Sequence, residues 1–188
     1  MRKRSSPRNN RDLGVSNKSQ RLVGKRIAVA VCGGIGSVEV VKIIRELRRH
    51  GAEVTAFMTP SAQRFVGPDA LSWAAHRPVV KEATYEVEYL EAFDLVIVAP
   101  TTLNTLSKAA LGLTDNVVLL LIASHLGAKR PMILVPAMNA AMKNHPVYGE
   151  YRARLTNWGV KFLETDEVED RMKMPTPEAV AQSAMELV

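Results

Sequence analysis

Cysteine is nearly absent: Cys32 is the only one in 188 residues, which excludes an intrachain disulfide, and no cluster of Cys and His has the spacing of a zinc site. No metal centre and a reducing, cytoplasmic setting are expected. Long uncharged apolar runs are also missing, so no segment is expected to span a membrane. The N-terminus likewise lacks the apolar central run of a secretory signal. Acidic residues are scarce at one end only. Residues 1–26 hold nine Lys or Arg and one acid, a net of +8, whereas the rest of the chain has sixteen basic and eighteen acidic residues, a net of −2. The overall charge of +6 therefore belongs to the first segment and not to the globular part, which argues against a nucleic-acid or anionic-membrane partner.

The length and the 47% hydrophobic content fit one domain with a proper core. Residues 1–24, with few larger aliphatic side chains, are expected to form a disordered basic tail, because so little apolar surface cannot offset the ordering entropy. Their basic, Ser-containing, acid-poor character loosely fits an organelle transit segment; a solvated extension or a start codon assigned too early is preferred. The domain is then expected over 25–188, with no internal repeat and no linker.

Within it, residues 25–31 pass from the charged Lys25 and Arg26 into apolar residues and end in a glycine turn, and Val38, Val41, Ile44 and Leu47 recur at helical spacing over 37–50. Gly51 stops that helix, and 52–58 reads as a second strand, giving one βαβ unit with parallel strands. Short helices are expected over 61–66 and 68–76, a brief strand over 78–80 and a short helix over 87–93. Leu95–Val98 reads as a central strand buried on both faces. Helices follow over 102–111 and 115–126, a strand over 132–135, an interrupted helix over 140–158, a strand over 160–163 and a closing amphipathic helix over 178–187. Alternating strands and helices predict an α/β fold: a Rossmann-like, doubly wound three-layer sandwich around a mainly parallel sheet.

Three strand ends carry candidate chemistry. Gly33, Gly34 and Gly36, with Ile35 between them, let the backbone approach a ligand, and the following helix start favours an anion such as phosphate. The tip of the second strand lacks the carboxylate that an NAD ribose would want and offers Thr59 and Ser61 instead. Hydroxyls suit a mononucleotide phosphate. The third strand ends in Thr101, Thr102, Asn104 and Thr105; one N-cap explains one hydroxyl, and the surplus points to a ligand. The fourth ends in Pro136, Ala137, Met138 and Asn139, at the carboxyl edge where open α/β sheets bind ligands.

Together these segments resemble the flavoproteins related to phosphopantothenoylcysteine decarboxylase and the lantibiotic peptidyl-cysteine decarboxylases. The resemblance covers residues 25 to about 145. It implies noncovalent FMN, with the phosphate near Gly34, Gly36, Thr59 and Ser61, the ring near Phe65, Thr101, Asn104, Ala137 and Met138, and Gly33, Ile35, Thr102 and Thr105 completing the cofactor-binding set. It gives Asn139 the catalytic task of holding a substrate carboxylate. It also implies oxidative decarboxylation of a small-molecule or peptidyl cysteine, and a flavin pocket completed by a neighbouring subunit in a homotrimer or homododecamer.

Two departures qualify that implication. The family His expected about eight residues before Asp94 is replaced by Glu86, which reads as a solvated position at a helix start. The Cys-containing glycine-rich clamp is replaced by the acidic run Glu164–Asp170 before Arg171 and Met172. Alternatives of the same fold are therefore an FMN-dependent reductase or electron carrier using a redox donor, a flavin prenyltransferase, and a non-catalytic regulatory subunit.

Overall fold

The computed structural model describes residues 14–84, 92–165 and 172–188. Five strands, β1 (Arg26–Val31), β2 (Glu53–Met58), β3 (Leu95–Thr101), β4 (Met132–Pro136) and β5 (Val160–Phe162), form one sheet in the order β2-β1-β3-β4-β5. Every pairing between them is parallel. Seven α-helices alternate with them among the described residues: α1 (Val40–Arg49), α2 (Pro68–Ala75), α3 (Leu103–Ala110), α4 (Val117–Gly127), α5 (Ala140–Lys143), α6 (Pro146–Asn157) and α7 (Pro177–Leu187).

Strand alternation divides the core into two layers. Ile27, Val29, Leu95, Ile97, Ile133 and Val135 face α1, α2 and α7, while Ala28, Ala30, Val96, Val98, Met132 and Leu134 face α3, α4 and α6. Strands apolar on both faces can exist only between two helical layers, and this is the three-layer sandwich expected from the sequence. In α1 the residues Val40, Ile43, Ile44 and Leu47 are buried, each contributing roughly 1.5–3 kcal/mol by burial. Gly51, with φ of 95°, takes the left-handed conformation that ends this helix.

Local boundaries differ in informative places. The helix expected from Ser37 opens as a 3-10 segment over Ile35–Glu39 before α1. The brief strand over 78–80 is a single parallel bridge from Val80 to Phe57. The helix expected over 87–93 falls largely outside the described residues; Phe93 itself is buried, edge-on to Phe57 at 5.8 Å between ring centroids.

Residues 14–24, expected from composition to belong to a disordered tail, pack on α1 instead. Leu22 is fully buried. The backbone amides of Lys18 and Leu22 donate to Arg49 O and His50 O at 2.8 and 2.9 Å, and Lys18 Nζ reaches the buried carboxylate of Glu46 at 2.6 Å. Leu22 and the ion pairs of Lys18 with Glu46 and Glu178 anchor a segment whose average composition is polar.

Candidate functional site

β1 connects to β2 on one side of the sheet, while β3 runs on to β4 and β5 on the other. The loops leaving β1 and β3 at their carboxyl ends therefore diverge, and that divergence opens a crevice. A cavity of about 750 Å³ lies there, lined by Gly34, Ile35, Gly36, Val38 and Glu39 after β1, by Ala137, Met138 and Asn139 after β4, and by Met172, Lys173 and Met174. The glycine turn and the Ala137–Asn139 turn, more than a hundred residues apart in sequence, share one enclosure.

The three glycines have different neighbours. A Cβ on Gly33 would lie 2.5 Å from Ser61 Oγ, and one on Gly36 would lie 2.8 Å from Met174 Cγ. Both positions let another segment of the protein approach. At Gly34 the nearest atom would be Thr102 Cγ2 at 3.9 Å, so this glycine borders open space. Ser37, fully buried, fastens the turn through its hydroxyl, which lies 2.7 Å from Cys32 O and 2.6 Å from Gly34 O.

Thr59 and Ser61 stand beside the glycine turn with their hydroxyls 3.1 Å apart, and Thr59 Oγ1 also accepts from the Ala62 amide at 3.2 Å. Phe65 follows them, partly exposed. The end of β3 adjoins the Ala137 turn, where Ala137 N–H donates to Thr101 O at 3.2 Å, but its side chains are not among those lining the cavity. They are largely engaged with the protein. Thr101 is fully buried and donates to Val98 O at 2.8 Å. Thr102 caps α3 by accepting from the Thr105 amide at 3.3 Å and donates to Thr105 Oγ1 at 3.2 Å. Asn104 remains exposed.

Asn139 is exposed at the mouth of the cavity, where its Oδ1 caps α5 by accepting from the Met142 amide at 2.9 Å. The cap fixes the amide orientation and leaves Nδ2 as the donor for a ligand. Cys32, at the root of the glycine turn, is buried, and desolvation pushes its thiol up to about 12 despite a hydrogen bond from Thr105. It is a neutral core side chain, not a nucleophile. No His lines the cavity among the described residues. His125 Nε2 donates to Pro131 O at 2.9 Å, His145 caps α6 and His50 meets Glu46. Glu86, at the family His position, lies outside the described residues, and no group of acidic, His or Cys side chains among them could hold a metal ion. No helix there is long and apolar enough to cross a membrane.

Sequence reasoning did not select Val38, Glu39, Lys173 or Met174 for the cavity. Its one signal for the last wall was the Arg171–Met172 pair. Met172 reaches the cavity because its N–H donates to Met138 O at 2.8 Å, a contact between segments that no local pattern encodes.

A model of the Flavoprotein family matches residues 15–188. The chain belongs to the Flavoprotein family. It is 39% identical over 172 residues to the coenzyme A biosynthesis bifunctional protein CoaBC of Thermococcus kodakarensis, covering 88% of this chain and 42% of that protein. It is 37% identical over 130 residues to CoaBC of Methanocaldococcus jannaschii, covering 68% and 32%. The chain thus spans less than half the length of these relatives. Among solved structures it resembles the FMN-dependent cysteine decarboxylase SpaF, with a TM-score of 0.72 and 25% identity, over 85% of this chain and 97% of that one. It also shares its fold with a PPC decarboxylase mutant complexed with pantothenoylaminoethenethiol, at a TM-score of 0.73 and 20% identity over 85% and 96% of the two chains.

The flavoprotein cavity has features suited to FMN. The glycine turn runs directly into a helix start, whose first amides precede intrahelical bonding and suit a phosphate, with the Thr59 and Ser61 hydroxyls adjoining. Gly34 leaves room that a side chain would fill. The opposite wall, Ala137, Met138, Met172 and Met174, offers the apolar, polarizable surface that a flat ring requires.

Proposed function

We propose that this flavoprotein binds FMN and catalyses oxidative decarboxylation of a cysteine-derived substrate, small-molecule or peptidyl. The observation that carries this reading is the single cavity lined by both Gly34–Gly36 and Ala137–Asn139. The match to CoaBC proteins over most of this chain and the fold shared with cysteine decarboxylases support it.

When bound, FMN supplies the two-electron oxidant for the carbon bearing sulfur. The chain's residues bind and orient. Gly33, Gly34, Ile35, Gly36, Thr59 and Ser61 take the phosphate end. Phe65, Thr101, Thr102, Asn104, Thr105, Ala137 and Met138 make the ring side, several of them by shaping the β3 end rather than by direct contact. Asn139 Nδ2 donates to the substrate carboxylate and orients it for departure as carbon dioxide, and Met138, Met172 and Met174 exclude water from that side. A neighbouring copy, in a homotrimer or homododecamer, covers the open side of the pocket; Ile35, 69% exposed, and Val38, 43% exposed, line the cavity and present the apolar surface such a copy would bury.

A second reading, an FMN-dependent reductase or electron carrier, is favoured by the lack of a His in the described lining. Purified protein reconstituted with FMN and supplied separately with phosphopantothenoylcysteine, a peptide ending in Cys, and NAD(P)H separates the two. Carbon dioxide from either carboxylate supports the decarboxylase. Flavin reduction by NAD(P)H without carbon dioxide supports the reductase, and protein that retains no FMN contradicts both.

A further inference from the structure

The wall formed by Met172, Lys173 and Met174 is supported from behind by a polar cluster that the proposed reaction does not use. α6 carries Tyr148 and Arg152 one turn apart, and both donate to one carboxylate oxygen, Glu164 Oε1, at 2.9 Å from Tyr148 Oη and 2.7 Å from Arg152 Nε. The Tyr148 oxygen also lies 4.0 Å from Met172 Sδ. Tyr148 is 6% exposed; burial, reinforced by the Glu164 carboxylate, pushes its phenol up, so it stays protonated as a donor. Arg152 is braced in turn over the Phe162 ring of β5, 5.0 Å from its centroid.

One phenol therefore touches Glu164, just after β5, and Met172, where the chain returns to the cavity. Thr165 Oγ1 donates to Lys173 O at 2.7 Å, tying the same two stretches a residue further along. Met172 passes the support on, because its N–H is bonded to Met138 O, beside Asn139. Methionine is flexible and has no shape that would hold this position alone; a buried hydrogen-bonded phenol is rigid.

We propose that Tyr148 is a positioning residue for the substrate side of the cavity, fixing the Met172–Met174 wall against Met138 and Asn139 through Glu164 and Met172. This rests on the decarboxylase reading. The glycine turn meets this wall only where Met174 packs on Gly36, and it has its own fastening through the Ser37 hydroxyl.

The test uses full-length, FMN-loaded protein and Tyr148→Phe, which keeps the ring. A hydrogen bond to a charged group contributes enough to change an opening equilibrium by about tenfold. The Met172 amide should exchange its hydrogen about tenfold faster, and KM for the cysteine substrate should rise roughly five- to tenfold with kcat within about twofold, at unchanged FMN content. Glu164→Ala should reproduce the KM rise, whereas Glu164→Gln, which keeps an acceptor for Tyr148, should stay near wild type. Unchanged Met172 exchange and unchanged KM in Tyr148→Phe, with an active wild type, would overturn this proposal alone. Loss of FMN together with the KM rise would also overturn it, because the effect would then be global. A wild type that releases no carbon dioxide while Tyr148→Phe still loosens Met172 overturns the decarboxylase reading, and the substrate role of Tyr148 with it.

Discussion

Gly33 and Ser61 are in direct contact: a Cβ on Gly33 would sit 2.5 Å from Ser61 Oγ and 3.1 Å from its carbonyl carbon. This packing holds the glycine turn after β1 against the hydroxyl pair after β2. One residue later, Gly34 has no such neighbour. Adjacent glycines thus have separable roles.

Gly33→Ala should lower folding stability by about 1–3 kcal/mol, since backbone as well as side chain must shift. Gly34→Ala should leave stability within about 0.5 kcal/mol yet weaken FMN binding roughly tenfold, about 1.4 kcal/mol, because its methyl group enters the cavity. Thermal melts of the apoprotein and flavin fluorescence titration check the two effects independently.

At Asn139, the cap on α5 and the proposed carboxylate contact use different atoms of one amide. Asn139→Ala removes both and should cost about 1 kcal/mol of stability. Asn139→Asp keeps the cap and should hold stability and FMN content near wild type while abolishing decarboxylation, because it sets a negative charge against the substrate carboxylate. Turnover by Asn139→Asp at the wild-type rate would remove the substrate role.

Leu22 is fully buried in the core layer to which α1 and α7 also contribute. Leu22→Ala should destabilise the whole domain by about 2–5 kcal/mol, measured by urea denaturation. An effect near zero would return residues 14–24 to the status of a solvated extension.

Glu46, 1% exposed, meets Lys18 at 2.6 Å and Arg49 at 2.9 Å. Burial raises its pKa, but the hydrogen bonds and charges of Lys18 and Arg49 outweigh that and hold the carboxyl below its ordinary 4.5. A depressed folded-state pKa gives stability that is complete above the unfolded value and lost as pH falls through the folded one. Glu46→Gln should therefore melt at a lower temperature than wild type at pH 7, with the difference closing as the pH drops below 4.5. A gap that stayed constant with pH would contradict this role of the charge.

The sheet and its helices were legible because each strand is a short aliphatic run and each helix repeats its apolar residues at three and four. Residues 14–24 depart from the tail expectation because composition averages over a segment, whereas their packing rests on Leu22 and Lys18 finding particular partners. At Thr101–Thr105 the surplus of hydroxyls pointed to a ligand; in the fold Thr101 turns to Val98 O, and Thr102 and Thr105 bond each other. The Met172–Met174 wall was legible only as a familiar residue pair, since its place depends on Met138, Tyr148 and Glu164, all distant in sequence.

In the proposed function the cavity joins FMN to the carboxylate of a cysteine-derived substrate. Anaerobic single-turnover mixing of the FMN-loaded protein with phosphopantothenoylcysteine, and in parallel with a peptide ending in Cys, tests it most directly. The prediction is loss of the oxidised flavin absorbance together with one carbon dioxide per flavin reduced, with at least one of the two substrates. Flavin that stays oxidised with both, or that bleaches without carbon dioxide, would contradict it.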